Sequence, residues 1–184
     1  PDVNEINDYY LTTEYDPHNR DKSGIWNWAY QTVQNYANYW KYMNIRKFFK
    51  SGTLLDIGGG NGSFANFMKQ KGWDVILQDN SKQAIVNAQS IGIKTLANLS
   101  EVGQKPKFAV ITLWHSIEHI HDIKELFASI RKLLLPGGIL LIAVPNLNAP
   151  EKKYFGKNWS PYDAPRHLYQ FTLSTLSKLC RNEK

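Results

Sequence analysis

Leu54-Leu55-Asp56-Ile57-Gly58-Gly59-Gly60-Asn61-Gly62-Ser63-Phe64 decides the fold. A short apolar run around one acid gives way to a loop that is nearly all glycine, and a helix-forming segment follows. Glycines at such a strand-to-helix turn let the main chain approach a ligand where a Cβ would collide. Roughly twenty residues past Gly58, at the end of the next strand-like run, stands Asp79. In a nucleotide-binding fold an acid at that spacing accepts hydrogen bonds from the two ribose hydroxyls.

The stretch sits at the head of a repeating strand–helix pattern. Thr53–Ile57 is a strand, Gly58–Gly62 a loop and Ser63–Lys71 a helix stopped by Gly72. Asp74–Leu77 is the second strand, and Ser81–Ser90 a helix with Ser81 at its N-cap. Ile93–Leu96 is a short third strand, Phe108–Leu113 a buried fourth and Ile123–Leu134 a helix. A Pro136-Gly137-Gly138 turn leads to a fifth strand, Ile139–Val144. Strands separated by helices imply right-handed crossovers and a parallel sheet covered on both faces. Upstream, Trp26, Tyr30, Val33, Ala37 and Trp40 recur at helical spacing, so residues 25–50 form one or two helices.

The loop also discriminates between ligands. The dinucleotide pattern G-x-G-x-x-G needs glycine at position 63, where this chain has Ser63. Asp56 instead precedes the loop, giving D-x-G-x-G-x-G. A carboxylate there repels a pyrophosphate and favours a ligand bearing an ammonium and a sulfonium, as S-adenosylmethionine (SAM) does, over NAD.

Composition narrows the setting. The 184 residues suit a chain that buries roughly 70% of its unfolded surface. The net charge of +6 is scattered in pairs such as Arg46-Lys47, Arg131-Lys132 and Lys152-Lys153, the pattern of a solvated face rather than a nucleic-acid groove. A lone cysteine, Cys180, excludes an intramolecular disulfide and fits a reducing compartment. No signal peptide is visible, and the longest apolar run, Ile139–Val144, falls far short of the ~20 residues of a membrane span, so a cytoplasmic location is expected. Aromatic residues make up 13% of the chain and gather outside the strands, where rings either cover a pocket or pack on the core.

Asp56-Ile57-Gly58-Gly59-Gly60-Asn61-Gly62 resembles the first motif of class I SAM-dependent methyltransferases, and Gln78-Asp79-Asn80-Ser81 their second. Trp114-His115-Ser116-Ile117-Glu118-His119, Leu135-Pro136-Gly137-Gly138 and Val144-Pro145-Asn146 are similar to signatures of one subgroup, as are Ala164-Pro165-Arg166-His167-Leu168-Tyr169 and Phe171-Thr172. That subgroup is the bacterial small-molecule methyltransferases related to the ubiquinone-biosynthesis O-methyltransferases. The resemblance implies an α/β Rossmann-like, doubly wound parallel sheet in the order 3-2-1-4-5. It divides the chain into N-terminal lid or cap helices over 1–50 and a SAM-binding domain over 51–184. It implies SAM as cofactor, S-adenosylhomocysteine as product and a small-molecule substrate. Asp56, Gly58, Gly59 and Gly60 then hold the methionine part, Asp79 takes the ribose, and Asn80 with Ala97-Asn98-Leu99 flanks adenine. Asn98 stands where the family often has Asp. Trp114 and His115 face the methyl group, with His115 the leading candidate for a general base.

Tyr9, Tyr10, Tyr15, Tyr162, Arg166 and His167 are candidates for a lid and an anion-accepting wall, or alternatively a packed surface loop. Family members usually carry two more strands as a C-terminal antiparallel hairpin. This chain stops at Lys184 before either, leaving fragment, truncation and missing tail all open. An open fifth strand is prone to pairing with another chain, and the oligomeric state is undetermined. A non-catalytic SAM-binding protein and a methyltransferase of nucleic acid or protein are the alternatives. The Asn/Asp-Pro-Pro-Tyr loop of base amino-methyltransferases is absent, Leu113-Trp114-His115-Ser116 occupying its place.

His115-Ser116-Ile117-Glu118-His119 also matches the inverted zinc-protease pattern H-x-x-E-H. That reading needs a helix beginning at His115, whereas the preceding run is a strand, and no separate third ligand is evident. No metal is therefore expected, and Glu118 and His119 read as residues that orient the loop or cap the next helix.

Overall fold

The computed structural model describes residues 24–103, 107–163 and 165–182. The chain divides between Phe48 and Phe49 into two compact units. In the first there is one helix after residue 24 rather than two: α1 (Ile25–Arg46) runs for 22 residues without a glycine or proline to interrupt it. Trp28, Tyr36 and Trp40 on it are exposed.

The second unit is an α/β sheet layered with helices. β1 (Thr53–Ile57) leads through the glycine loop into α2 (Ser63–Gln70), then β2 (Asp74–Gln78), α3 (Lys82–Ser90) and β3 (Lys94–Leu96). β4 (Phe108–Trp114), α4 (Ile123–Leu133) and β5 (Leu134–Ala143) follow, and a short α5 (Lys152–Phe155) and α6 (Leu173–Asn182) complete the described chain. The five strands are parallel in the order β3-β2-β1-β4-β5, with β1 at the centre and β4 beside it. Central position explains their composition: β1 is buried from Leu54 to Ile57 and β4 from Phe108 to Leu113.

Helix α4 shows how sequence sets the packing. Ile123, Leu126, Phe127, Ile130 and Leu133 fall on one stripe and are all buried. Each such side chain contributes roughly 1.5–3 kcal/mol by leaving water. Asp122 caps the helix by accepting from the Glu125 amide at 2.8 Å. Glu118 and His119, expected as possible caps, lie instead in a 3-10 turn, Ile117–His119, one step earlier. Ser81 caps α3 as its sequence suggests, its hydroxyl accepting from Ala84 N–H at 3.3 Å.

Pro136-Gly137-Gly138 is not a turn that precedes a strand. Leu134 leaves α4 in an extended conformation and pairs at once with Phe108. The register then jumps to Val110 opposite Ile139, so the Pro-Gly-Gly segment is an irregularity inside β5. Among the described residues no helix is long and apolar enough to cross a membrane.

Candidate functional site

The loops expected to hold SAM leave the carboxyl ends of β1, β2, β3 and β4, where open α/β sheets place their ligands. Two of the loop glycines are needed by the fold itself. A Cβ on Gly58, at φ 69°, would stand 2.4 Å from Ser116 Cβ, and one on Gly59 would stand 2.6 Å from Leu77 and 2.9 Å from Asp56 Oδ2. Gly60 is different. At φ 55° its missing Cβ points into space with no atom within 4 Å, so the one unencumbered face of the loop is here. That open, side-chain-free face beside two acids fits a cationic nucleoside.

Asp56 is 2% exposed and receives the Thr112 hydroxyl on Oδ1 at 2.7 Å. Thr112 and Ser116 brace this strand and its loop, and neither was given a role from the sequence. Ser116 Oγ donates to Ile57 carbonyl at 2.9 Å and lies where Gly58 leaves room. The signal for Thr112 was one hydroxyl in an otherwise apolar buried strand, since such a group needs a partner.

Asp79 ties the loops after β1 and β2 together. Oδ2 accepts from Gly60 N–H and Oδ1 from Ser81 N–H, both at 2.9 Å. A carboxylate offers about four lone-pair sites, so acceptor capacity remains for hydroxyls. Gln78 was also missed: its Nε2 donates to Asn80 Oδ1 at 3.0 Å and to the Ala97 carbonyl at 2.9 Å. Asn80 and the Ala97-Asn98-Leu99 segment, both expected beside adenine, are thereby bound to one buried amide. Asn98 N–H donates to Glu101 Oε1 at 2.7 Å, and Asn80 and Asn98 are exposed.

Trp114 closes β4 and packs edge-on against Phe64, centroids 5.6 Å apart. His115 follows in a strand-end turn at φ 56°, a left-handed conformation that favours glycine over histidine. Its amide is held by the Ala143 carbonyl at 2.9 Å, while 62% of its side chain is exposed. His115 Nδ1 lies 3.7 Å from Glu118 Oε1. Glu118 is 1% exposed, and neither carboxylate oxygen has a hydrogen-bond partner.

The segment 165–171 crosses this loop and is fastened to it. Leu168 N–H donates to the Glu118 carbonyl at 2.8 Å, and Tyr169 Oη donates to the His121 carbonyl at 3.0 Å. His119 Nδ1 meets the Arg166 carbonyl at 3.0 Å. Burial pushes His119 below the ordinary histidine value, against the raising effect of that hydrogen bond. His167, expected as part of a lid or wall, packs edge-on against His119 of the H-x-x-E-H motif at 4.7 Å between centroids. Arg166, expected in an anion-accepting wall, donates through Nε and Nη2 to Asp163 Oδ1 of its own segment. Tyr162 packs edge-on with Trp159. Tyr9, Tyr10 and Tyr15 lie outside the described residues.

This sheet order, with a glycine loop after β1 and an acid after β2, defines a class I SAM-dependent methyltransferase. Comparison with known proteins agrees: a "Methyltransferase domain" family model matches residues 28–183, and the chain belongs to that family. A ubiquinone biosynthesis O-methyltransferase from Caulobacter sp. (strain K31) is 32% identical over 123 residues, covering 61% of this chain and 48% of the relative. One from Pelagibacter ubique is 32% identical over 128 residues, covering 66% and 52%. The chain thus spans about half the length of the curated relatives it matches. Among solved structures, a SAM-dependent methyltransferase from Archaeoglobus fulgidus superposes with a TM-score of 0.66 at 20% identity, covering 82% of this chain and 68% of that one.

Proposed function

We propose that this chain moves the methyl group of SAM to a small-molecule acceptor, a hydroxyl oxygen first among acceptors. The observation that carries the reading is the open face at Gly60, flanked by Asp56 behind the loop and Asp79 across it. The choice of oxygen rests on the relatives named as O-methyltransferases. When bound, SAM supplies a methyl group already activated by its sulfonium. Positioning is then the protein's main contribution, and good orientation is worth roughly 7–11 kcal/mol of a barrier.

In this reading Asp56 sets a negative potential under the cationic part of the ligand, and Thr112 holds that carboxylate in place. Asp79 receives the ribose hydroxyls while keeping the loop amides of Gly60 and Ser81. Gln78 fixes Asn80 and Ala97 on either side of the adenine position. Trp114 forms an apolar wall. His115, exposed at the end of β4, takes the proton that the acceptor's O–H loses as its oxygen bonds to carbon, a role worth about 10²–10⁴-fold in rate. The lone Cys180 fits work in a reducing, cytoplasmic setting.

Calorimetric titration with SAM, S-adenosylhomocysteine and NAD, followed by mass-spectrometric detection of S-adenosylhomocysteine over an acceptor panel, tests this. Binding of SAM and its demethylated product but not NAD is expected, with turnover on hydroxylated acceptors. Binding of NAD alone would reverse the ligand assignment. SAM binding without turnover on any acceptor would leave a binding protein.

A further inference from the structure

Helix α1 presents its rings to water. Trp28, Tyr36, Tyr39, Trp40 and Met43 share one side of the helix over about four turns, with Val33 at its border. Trp28 and Tyr36 are 71% and 72% exposed, and Val33, Tyr39, Trp40 and Met43 are exposed as well. The opposite side is the buried one, at Asn38 and Ile45. A helix that hides an amide and shows four rings inverts the usual amphipathic pattern. None of these side chains has a part in the methyl-transfer reading.

We propose that this face is the contact through which two copies of the chain pair, α1 against α1 and antiparallel, about a twofold axis at Tyr36. Composition and area both point to a second copy. Interface centres are enriched in Trp, Tyr and Met and depleted of charge, and no charged residue falls among these side chains. At about 150–250 Å² to a ring, the four rings leave about 500 Å² in water, and Val33 with Met43 brings the patch to about 700 Å². That exceeds the ~300–600 Å² of the largest apolar patch on a typical monomer. It approaches the ~800 Å² that each partner buries in a stable interface of standard size. Pairing about a twofold axis lets the one patch serve both sides of the contact.

Charge sets the direction. Helix α1 contains no acid, and Arg46 and Lys47 stand at its C-terminal end. Parallel helices would set those cations side by side and align the two helix dipoles. Antiparallel ones carry the cations to opposite ends and oppose the dipoles. Size sets the register. The stretch from Trp28 to Met43 has its midpoint beside Tyr36. With Tyr36 on the axis, Trp28 of one copy meets Met43 and Asn44 of the other, and Trp40 meets Thr32. Thr32 is small, and its hydroxyl already donates to the Trp28 carbonyl at 2.8 Å. A ring can therefore close over it without stranding a polar group. Parallel pairing would set Trp40 on Trp40 and leave Thr32 facing Thr32.

Sedimentation equilibrium of the 184-residue chain should show a dimer at micromolar concentration. Tyr36→Glu puts two carboxylates on the axis and removes an anchor from each copy, so the dimer dissociation constant should rise by about 100-fold or more. Trp40→Ala should weaken pairing too and stands in should Tyr36→Glu unfold, with circular dichroism reporting the fold of each. Leu173→Glu, at an exposed position on α6, should leave the dissociation constant unchanged. Cysteine cross-linking with oxidised glutathione, in a Cys180→Ser background, reads the direction. Tyr36→Cys should link two copies. Trp28→Cys should not, because antiparallel helices hold the two Trp28 positions about 24 Å apart along the axis, against the ~7 Å limit of a disulfide. A monomeric chain, a dimer that survives both Tyr36→Glu and Trp40→Ala, or Trp28→Cys linking as readily as Tyr36→Cys would overturn the proposal. SAM binding is titrated separately, so the pairing and the methyl-donor site can each fail while the other stands.

Discussion

Asp79→Asn tests the ribose acceptor and the loop architecture in one molecule. In the parent each carboxylate oxygen holds a main-chain amide at 2.9 Å, Gly60 on Oδ2 and Ser81 on Oδ1. The carboxamide keeps one oxygen and turns the other into an NH₂ that faces an N–H donor. One amide loses its acceptor, which costs about 1–3 kcal/mol for a buried group and falls at the lower end here because Asp79 is half-buried. The ligand loses at least one charge-assisted hydrogen bond from its hydroxyls, worth about 1.5–3 kcal/mol, or roughly 10–150-fold in affinity. Thermal melting should fall by a few degrees, and calorimetry should show SAM and S-adenosylhomocysteine weakened together within that range. If the folded variant bound SAM within about threefold of the parent, less than about 0.7 kcal/mol, Asp79 would not be the ribose acceptor.

Gly58→Ala should destabilise the chain by about 2–4 kcal/mol, from a Cβ forced to 2.4 Å from Ser116 Cβ plus left-handed strain, and denaturant midpoints will show it. Gly60→Ala meets no atom, so its folding cost should be about 1–2 kcal/mol of backbone strain while SAM binding suffers more than stability does. Thr112→Val removes the donor to buried Asp56 and should cost about 1–3 kcal/mol in urea melts. His115→Ala should lower kcat by about 10²–10⁴-fold at unchanged SAM affinity; full turnover in steady-state assays would remove it as the base.

Much of the architecture was legible because it rests on local patterns. The Asp56–Gly62 loop, the spacing to Asp79 and the stripe on Ile123–Leu133 each encode their structure within a few turns of chain. The misreadings came where a distant partner decides. Pro136-Gly137-Gly138 carries turn chemistry, yet early pairing of Leu134 with Phe108 draws it into an irregular strand. Gln78 and Thr112 work through groups 19 and 56 residues away, which no local pattern exposes. The same holds for His167, which packs edge-on against His119. His115 does leave a strand, as its sequence implies, and so cannot share a helical face with His119. The fold instead brings in His167 from a segment nearly fifty residues on, linked through the His119–Arg166 bond.

The two imidazoles are each oriented by peptide oxygen, not by a neighbouring side chain. Every amino acid brings the same carbonyl, so a substitution at position 166 takes the guanidinium away from Asp163 without deleting the acceptor His119 depends on. Leu168 is the exception, because proline there would erase the N–H that reaches Glu118. Divergent descendants of this chain can therefore reshape the outer surface of the crossing segment freely while inheriting the ring orientations underneath it unchanged.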